Sequence, residues 1–202
     1  VTLRRRYAGA FGAHYRDNYT PRMAARDIEH MEDLVSDAAG NGAITMALFR
    51  PPEAAPGLLR FKLFRSRCSV HLSDALPMLE NMGLRVTQEW PSTIRRGAGD
   101  DVWLHDFELQ HDLGANLLFD RALRDAFEHA FAEIWNQHVE SDGFNQLVLR
   151  ARLHSRQIVV LRAYCKYLRQ IGTTYSQSYM QQTLAQHPSL AAELVKLFEA
   201  RF

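Results

Sequence analysis

LLRFKLF (58–64), LSDALPMLENMG (72–83), LRVTQEW (84–90) and VWLHDFEL (102–109) form the stretch of sequence that decides the fold. The first, third and fourth runs are short and rich in strand-forming residues, and in 58–64 they alternate with polar ones, which is typical of a sheet with one buried face. The second run has apolar residues at helical spacing and ends at Gly83, which can close a helix in the left-handed conformation. The order is therefore β-α-β-β.

One helix and one strand are predicted before this stretch. Thr20 can cap a helix over 21–37, and Pro21 suits its first turn because that position needs no amide hydrogen. GNG at 40–42 would end the helix, which we expect to cover an apolar surface. ITMALF (44–49) is predicted to be a strand, since a proline-rich connection separates it from the next one.

From residue 117 the apolar period becomes 3.6 and stays so. A helix over 118–137 carries one continuous apolar stripe, and a helix over 155–172 has so little polar surface that we expect it at the centre of a small bundle. The sequence therefore predicts two domains, an α/β part over 1–137 and a helical part over 138–202.

Composition narrows the class of protein. The chain has 202 residues, of which 47% are apolar and 23% charged, as in a globular protein without a membrane span. Its 24 basic and 23 acidic residues create no overall field for nucleic acid or anionic lipid. Cys68 and Cys165 lack CxxC partners, so we expect a reducing, cytoplasmic location. Because the chain opens on Val1 and closes on FEARF without a stop signal, we expect a segment of a longer polypeptide.

The candidate catalytic groups are weak. GAG at 97–99 joins two predicted strands, whereas a dinucleotide-binding loop opens a helix, so we expect a plain hairpin loop. His105 and Asp106 are adjacent on a strand and point to opposite faces, one buried and one exposed. Cys68 and His71 lack the further partners of a nucleophile or a metal site. We therefore predict no catalytic, cofactor-binding or metal-binding residue.

Four basic residues lie in the strand over 58–64 or just after it: Arg60, Lys62, Arg65 and Arg67. They predict either a solvated or interdomain-contact face, or a site for an anionic effector or polyanion. Nucleic-acid binding would need aromatic platforms beside them, and only Phe61 and Phe64 are available, one on each face of the strand. We favour the solvated or interdomain-contact face over the anion site.

The segment LSDALPMLENMGLRVTQEWP (72–91), together with VWLHDFEL (102–109), resembles the region ahead of the catalytic domain in large bacterial NAD-specific glutamate dehydrogenases. VVLRAYCKYLRQ (159–170) and SQSYMQQTLAQHPSLAAELVKLFEARF (176–202) continue the resemblance in the same order. It implies a parent oxidoreductase of amino-acid catabolism that uses NAD. The family's catalytic and nucleotide-binding residues match no position here, so the segment itself is expected to be non-catalytic and to bind no cofactor.

The same resemblance implies an α+β fold, an ACT-like (ferredoxin-like) sandwich with a four-stranded antiparallel sheet, followed by an α-helical module. The predicted order is the ACT order without its last strand. We therefore expect the strand over 44–49 to fill the vacant sheet edge from the amino side, and the helix over 21–37 to join the sandwich.

ACT modules often bind amino acids where a strand meets its helix, and the matching stretch here runs from Arg65 to Asp74. The resemblance makes Arg65, Arg67, Ser69 and Ser73 candidate effector-binding residues. The favoured function is a structural and regulatory segment that contacts other domains and subunits of a homo-oligomer, through apolar surface on the helices after residue 140. The alternatives are an amino-acid sensor and, less favoured, an RNA-binding module; no nucleic-acid or membrane partner is expected.

Overall fold

The computed structural model describes residues 3–34, 43–96, 101–114 and 117–202, and it shows an α+β fold. The strands are β1 (Ile44–Phe49), β2 (Leu58–Ser66), β3 (Arg85–Arg95) and β4 (Asp101–Gln110). The helices are α1 (Leu3–Tyr7), α2 (Ala13–Asn18), α3 (Pro21–Glu32), α4 (Leu72–Asn81), α5 (Arg121–Trp135), the 3₁₀ helix Gly143–Gln146, α6 (Leu147–Arg150), α7 (Ser155–Gln170), α8 (Gln177–Gln186) and α9 (Pro188–Arg201).

The strands form one antiparallel sheet in the order β1-β2-β4-β3, which is the sheet of an ACT-like module. β1 lies at the edge beside β2, and its register places Ile44 opposite Arg65 and Phe49 opposite Arg60. The prediction that the strand over 44–49 fills the vacant edge is therefore confirmed. β3 forms the other edge and contains Pro91. An edge strand tolerates proline because one of its sides donates no ladder hydrogen bonds.

The last two strands are longer than the sequence predicts, since β3 continues to Arg95 and β4 begins at Asp101. The GAG stretch (97–99) lies outside the described residues. The glycine that was expected to end the helix before β3 does so, because Gly83 has a φ of +82°.

The chain separates into two compact units. The first comprises residues 1–51, 59–74 and 87–109, and we call it the sheet unit. The second comprises residues 52–58, 75–86 and 110–202, and we call it the helical unit.

In the sheet unit, both faces of β2 are buried, so the prediction of one buried face is wrong. Leu59, Phe61 and Leu63 are buried on one face, as the alternation indicates. The other face is covered as well, because Phe64 packs in a core cluster with residues of the amino-terminal helices, among them Tyr15 and Met31. A strand covered on both faces loses the simple alternation of polar and apolar exposure.

The amino-terminal segment forms three helices, of which the sequence predicted only the third. Thr20 caps α3 as expected, with its Oγ1 3.3 Å from Met23 N. The helix is observed from Pro21 to Glu32, with Asp33 as its C-cap residue. Residues 35–37 of the predicted helix, and the GNG stretch (40–42), lie outside the described residues. α1 and α2 have five and six residues, too few to produce a periodic pattern.

An aromatic stack runs through the two short helices and ends at the start of α3. Tyr7, Phe11, Tyr15 and Tyr19 follow one another at intervals of four residues. Their successive ring centroids lie 6.1, 4.6 and 4.4 Å apart. Stacking of this kind adds to the burial of the rings, and it gives a segment of short helices a defined structure.

In the helical unit, α5 buries the predicted stripe, with Leu123, Phe127, Phe131 and Ile134 facing inward. α7 begins at Ser155, the first residue of the predicted helix, and ends at Gln170. Ser176 caps α8, with its Oγ 3.1 Å from Tyr179 N, and Pro188 lies in the first turn of α9.

A buried arginine joins α7 to the segment before it. Arg162 is almost completely buried, and its guanidinium donates to Asp142 at 2.8 and 2.9 Å and to Asn145 Oδ1 at 2.9 Å. A guanidinium in this position is stabilised because it is both ion-paired and hydrogen-bonded.

Among the described residues, no helix combines the length and apolar character needed to cross a bilayer.

Candidate functional site

The predicted effector stretch lies at the end of β2 and the start of α4. The structure brings Arg65 and Ser69 together, since Arg65 Nη1 donates to the carbonyl oxygen of Ser69 at 3.3 Å. Arg67 is exposed and has a φ of +68°. Ser73 lies inside the first turn of α4, so it does not cap the helix, and its Oγ donates to Asp74 Oδ1 at 3.4 Å. The carboxylate of Asp74 competes with any anion for this helix end.

A buried histidine, which the sequence analysis did not connect with this stretch, supports its conformation. His105 Nε2 accepts from Val70 N at 3.3 Å and lies 3.2 Å from Ser69 Oγ. Its Nδ1 is 2.8 Å from Glu89 Oε1. Because a backbone N–H can only donate, Nε2 must accept, and the proton therefore lies on Nδ1 and is donated to the carboxylate. Three segments of the sheet unit meet at this ring.

The expected division between His105 and Asp106 is half correct. Their side chains have separate partners, so they do not act as a pair. The prediction that one of them is exposed is wrong, because both are buried. Asp106 accepts from Tyr19 Oη at 2.9 Å and from Arg60 Nε at 2.9 Å. The amino-terminal helices cover the face of the strand that was predicted to be exposed to solvent.

The same cover changes the interpretation of the basic residues. Lys62 has 2% of its surface exposed, and its Nζ donates to Asp27 Oδ2 at 2.6 Å. Arg60 pairs with Asp106 and lies over the ring of Trp90, 4.2 Å from its centroid. These two side chains therefore form internal ion pairs, and the prediction that they lie on a solvated face is wrong. The RNA-binding alternative loses half of its basic surface.

Two tyrosines complete this buried polar network. Tyr15 Oη donates to Asp27 Oδ2 at 2.6 Å, beside the Lys62 ammonium. Burial, and then the charge of the neighbouring carboxylate, raise the pKa of both Tyr15 and Tyr19 far above the ordinary value, so both phenols stay protonated and act as donors. The network holds the amino-terminal helices on the sheet through Asp27, Lys62 and Asp106.

The sulfur and imidazole candidates show no catalytic arrangement. Cys68 is free and exposed, as expected of a loop thiol, and His71 is exposed as well. Cys165 is buried, and burial raises the pKa of its thiol, which disfavours the nucleophilic thiolate. Within the parts of the chain that the structure describes, no group of His, Cys, Asp and Glu is suited to hold a metal ion.

The helical unit carries an apolar groove on its surface. It has a volume of about 700 Å³ and is lined by side chains of α7, α8 and α9. Leu161, Cys165, Met180 and Leu184 form its buried floor. Arg201 is the single charged residue among those described around it. An apolar surface of this kind marks a contact with protein or another apolar partner more often than a site of chemistry.

The walls of the groove are exposed to an unusual degree for apolar side chains. On α7, Tyr164 and Leu168 are 48% and 39% exposed. Leu197 on α9 is 68% exposed, and Phe202, directly after α9, is 85% exposed. Tyr164 and Phe198 meet edge to face, with ring centroids 6.1 Å apart, so α7 and α9 support each other. The expectation of exposed apolar surface after residue 140 is met here.

These elements define the class of the chain as an ACT-like α+β module accompanied by helical motifs. Three family models match it in succession: glutamate dehydrogenase helical motif 2 at residues 1–34, the glutamate dehydrogenase ACT3 domain at 43–122, and glutamate dehydrogenase helical motif 3 at 139–202. The chain belongs to the family of large NAD-specific glutamate dehydrogenases.

Named relatives agree with this assignment. The chain is 38% identical over 200 residues to the NAD-specific glutamate dehydrogenase of Halomonas elongata, 35% identical over 192 residues to that of Pseudomonas aeruginosa, and 39% identical over 200 residues to that of Mycobacterium tuberculosis. These matches cover 99%, 95% and 97% of the chain, respectively. The chain spans about 12% of the length of each relative.

Proposed function

We propose that the chain is a non-catalytic structural and regulatory segment of an NAD-specific glutamate dehydrogenase, and that it serves in the assembly of the enzyme. In this proposal the whole enzyme is a cytoplasmic homo-oligomer that converts L-glutamate, NAD⁺ and water to 2-oxoglutarate, ammonia and NADH. Residues outside this chain bind NAD and perform hydride transfer. The segment supplies two domains, an ACT-like part over 1–137 and a helical part over 138–202.

The apolar groove carries this proposal. Side chains such as Leu197 and Phe202 gain free energy when another surface removes them from water, at about 25 cal/mol for each Å² of apolar area buried. Such surface in a protein that remains folded and dispersed is normally covered by a partner. Because the lining contains one charge only, the groove offers little to a polar substrate and much to an apolar protein surface.

The nucleotide site is not expected within the chain. A dinucleotide-binding loop places its glycines between a strand and the amino end of a helix, where the pyrophosphate binds. Here the glycines of 97–99 are followed by β4, which begins at Asp101, and not by a helix of the described residues. The polar groups of the sheet unit described above also serve each other in ion pairs and hydrogen bonds.

The test of assembly uses the full-length enzyme that contains this chain. Glutamate at positions 194 and 197 (Leu194→Glu with Leu197→Glu) places two charges in the groove, and we expect the enzyme to sediment as smaller species because the interface would have to bury them. The matched control is Leu118→Glu, which makes the same change at a leucine that is 70% exposed and does not line the groove. Unchanged sedimentation of the groove variant, with folding verified by circular dichroism, would contradict the role in assembly.

A second candidate function is amino-acid sensing at Arg65, Arg67, Ser69 and Ser73. The observation in its favour is that Arg65 and Ser69 converge at the start of α4, supported by His105. A ligand carboxylate would accept hydrogen bonds from Arg67 and Ser73, which are both exposed.

Calorimetric titration of the chain with the common amino acids tests this candidate. We expect binding heat with at least one of them, and a loss of that heat in Arg67→Ala and Ser73→Ala. The control is Arg22→Ala, an exposed arginine on α3. No heat and no thermal shift at millimolar ligand would leave the segment with its structural role alone.

A further inference from the structure

We infer that the groove of this chain binds the same groove of a second copy, with α9 of one copy crossing α9 of the other in antiparallel orientation. This inference rests on the proposed function, because it names the partner of the surface that is assigned to assembly. It states in addition that the contact is between identical surfaces, related by a two-fold axis.

The spacing of exposed residues on α9 supports a helix–helix contact. Leu190, Leu194, Leu197 and Arg201 follow one another at intervals of four, three and four residues, and the three leucines are all exposed. This is the 3.5-residue repeat of helices that pack side by side along a shared seam. The side that α9 turns inward is a different one, since Ala191 and Val195 are the residues it buries. α9 therefore has two apolar faces, and the structure covers one of them.

α7 has a seam with the same spacing. Val160, Tyr164, Tyr167 and Ile171 again follow at intervals of four, three and four, and the last three are exposed. Val160 and Tyr164 line the groove together with Leu194 and Leu197 of α9. Two adjacent helices with such seams form a surface on which further helices pack, as in a four-helix bundle. A second copy supplies two helices with matching seams.

The charges around the groove favour a copy of the chain in antiparallel orientation. Arg201 is the one charged residue in the lining, so a parallel contact would place two guanidinium groups side by side. If two antiparallel α9 helices cross midway between Leu194 and Leu197, the two arginines lie about 16 Å apart along the axis, at 1.5 Å per residue. Each arginine then lies opposite Leu190 of the other copy, within one turn of its Glu193.

Glu193 is available for this contact because it lies at the surface. Its carboxylate is 2.8 Å from Lys196 Nζ, and both side chains are 68% exposed. An exposed pair with i,i+3 spacing contributes little and exchanges partners easily. In the two-fold arrangement each carboxylate lies between Lys196 of its own chain and Arg201 of the other copy. The surface is thus complementary to itself in its apolar spacing and in its charges.

Sedimentation equilibrium of the 202-residue chain tests the inference. We expect a reversible dimer. Leu197→Glu should raise its dissociation constant by at least about tenfold, because a charge would be buried at the centre of the contact. The control Leu118→Glu should dimerise like the wild type, since Leu118 does not line the groove. A monomer at all concentrations, or a dimer that Leu197→Glu does not weaken, would overturn the inference.

A charge exchange tests the orientation. Arg201→Glu should weaken the dimer because it would place the new carboxylate near Glu193 of the other copy, and adding Glu193→Arg to it should restore the affinity. A parallel contact predicts little change for the single variant, since it would replace the repulsion between two arginines by that between two glutamates. Equal weakening in the single and the double variant would also overturn the antiparallel arrangement.

The outcomes separate this inference from the proposed function. If the isolated chain stays monomeric while the groove variant still disassembles the full-length enzyme, the groove binds a different part of the enzyme, and only the second copy is excluded. If the chain dimerises through α9 but the full-length variant keeps its assembly, the proposed role in assembly fails.

Discussion

The sheet unit and the helical unit differ in how much charge they bury and in how much apolar surface they expose. The sheet unit buries charge, since Lys62, Asp27 and Asp106 are covered by the amino-terminal helices. The helical unit exposes apolar side chains, among them Ile171 and Leu197. In the sheet unit, buried ions must find partners within the chain, and they do so in pairs as short as 2.6 Å. In the helical unit, the partner that we propose for the exposed surface is a second chain.

The two units are sensitive to different kinds of substitution. A buried ion pair fixes how the amino-terminal helices lie on the sheet, because any other arrangement leaves a charge without a partner. An exposed seam of leucines contributes little to the stability of the unit that carries it, and its energetic effect appears on association. Substitutions in the two units should therefore affect different measurements.

The largest effect is expected at Lys62. Lys62→Met leaves the carboxylate of Asp27 buried without its cation, and we expect the free energy of unfolding to fall by about 3–5 kcal/mol. Urea denaturation followed by circular dichroism measures this loss. The matched variant Asp27→Leu with Lys62→Met removes both charges, and it should recover most of the stability, since an apolar pair of similar volume is often no worse than a buried ion pair. A loss below about 1 kcal/mol in the single variant would show that water reaches Asp27.

A smaller effect in the sheet unit depends on pH. His30 stacks on Phe64 with ring centroids 5.6 Å apart, and burial lowers its pKa below 6.5 despite the nearby carboxylate of Asp27. The unfolded chain therefore binds a proton at a higher pH than the folded chain does, and stability falls as the pH drops through 6.5 toward the folded-state pKa. We expect His30→Gln to flatten this decline. Urea midpoints above and below pH 6.5 measure it, and an equal decline in both proteins would contradict the assignment to His30.

The smallest effect on folding is expected in the groove. Leu197→Glu should change the free energy of unfolding of the monomer by no more than about 0.5 kcal/mol, because the side chain already lies in water. Thermal unfolding at a protein concentration below the dimer dissociation constant measures the stability of the monomer alone. A large loss of monomer stability would mean that Leu197 stabilises the helical unit itself. The exposed seam would then not be separate from the core of that unit.

Much of the fold could be predicted from the sequence, because its signals are local. The cap at Thr20, the left-handed Gly83 and the stripe of α5 each depend on residues close together in the chain. The place of β1 at the sheet edge followed from the ACT-like order of the other strands. The long contacts had no such signal. Tyr19 and Asp106 are 87 residues apart, and nothing in either neighbourhood indicates the other.

The candidate sites show the same limit. The apolar residues after 140 were expected to include exposed ones, and the groove contains them. Their arrangement on three helices could not be foreseen, because the 3.6-residue pattern shows that a helix has an apolar face and not which neighbour covers it. The basic residues of β2 were misjudged for a related reason. Alternation predicts one solvated face only if no other element covers it, and α3 covers this one through Asp27.

The position of β1 also has a consequence for the order in which the protein is made. β1 comes first in the chain and occupies the sheet edge that the last strand of an ACT order would fill. All four strands of the sheet have therefore been synthesised once the ribosome has passed Gln110. An ACT order with its last strand at the carboxyl end would have to wait for the following helix. Because domains tend to fold as they emerge, the sheet can pair its strands while α5 to α9 are still being translated. The apolar seams of α7 and α9 therefore emerge only after all four strands of the sheet are available for pairing.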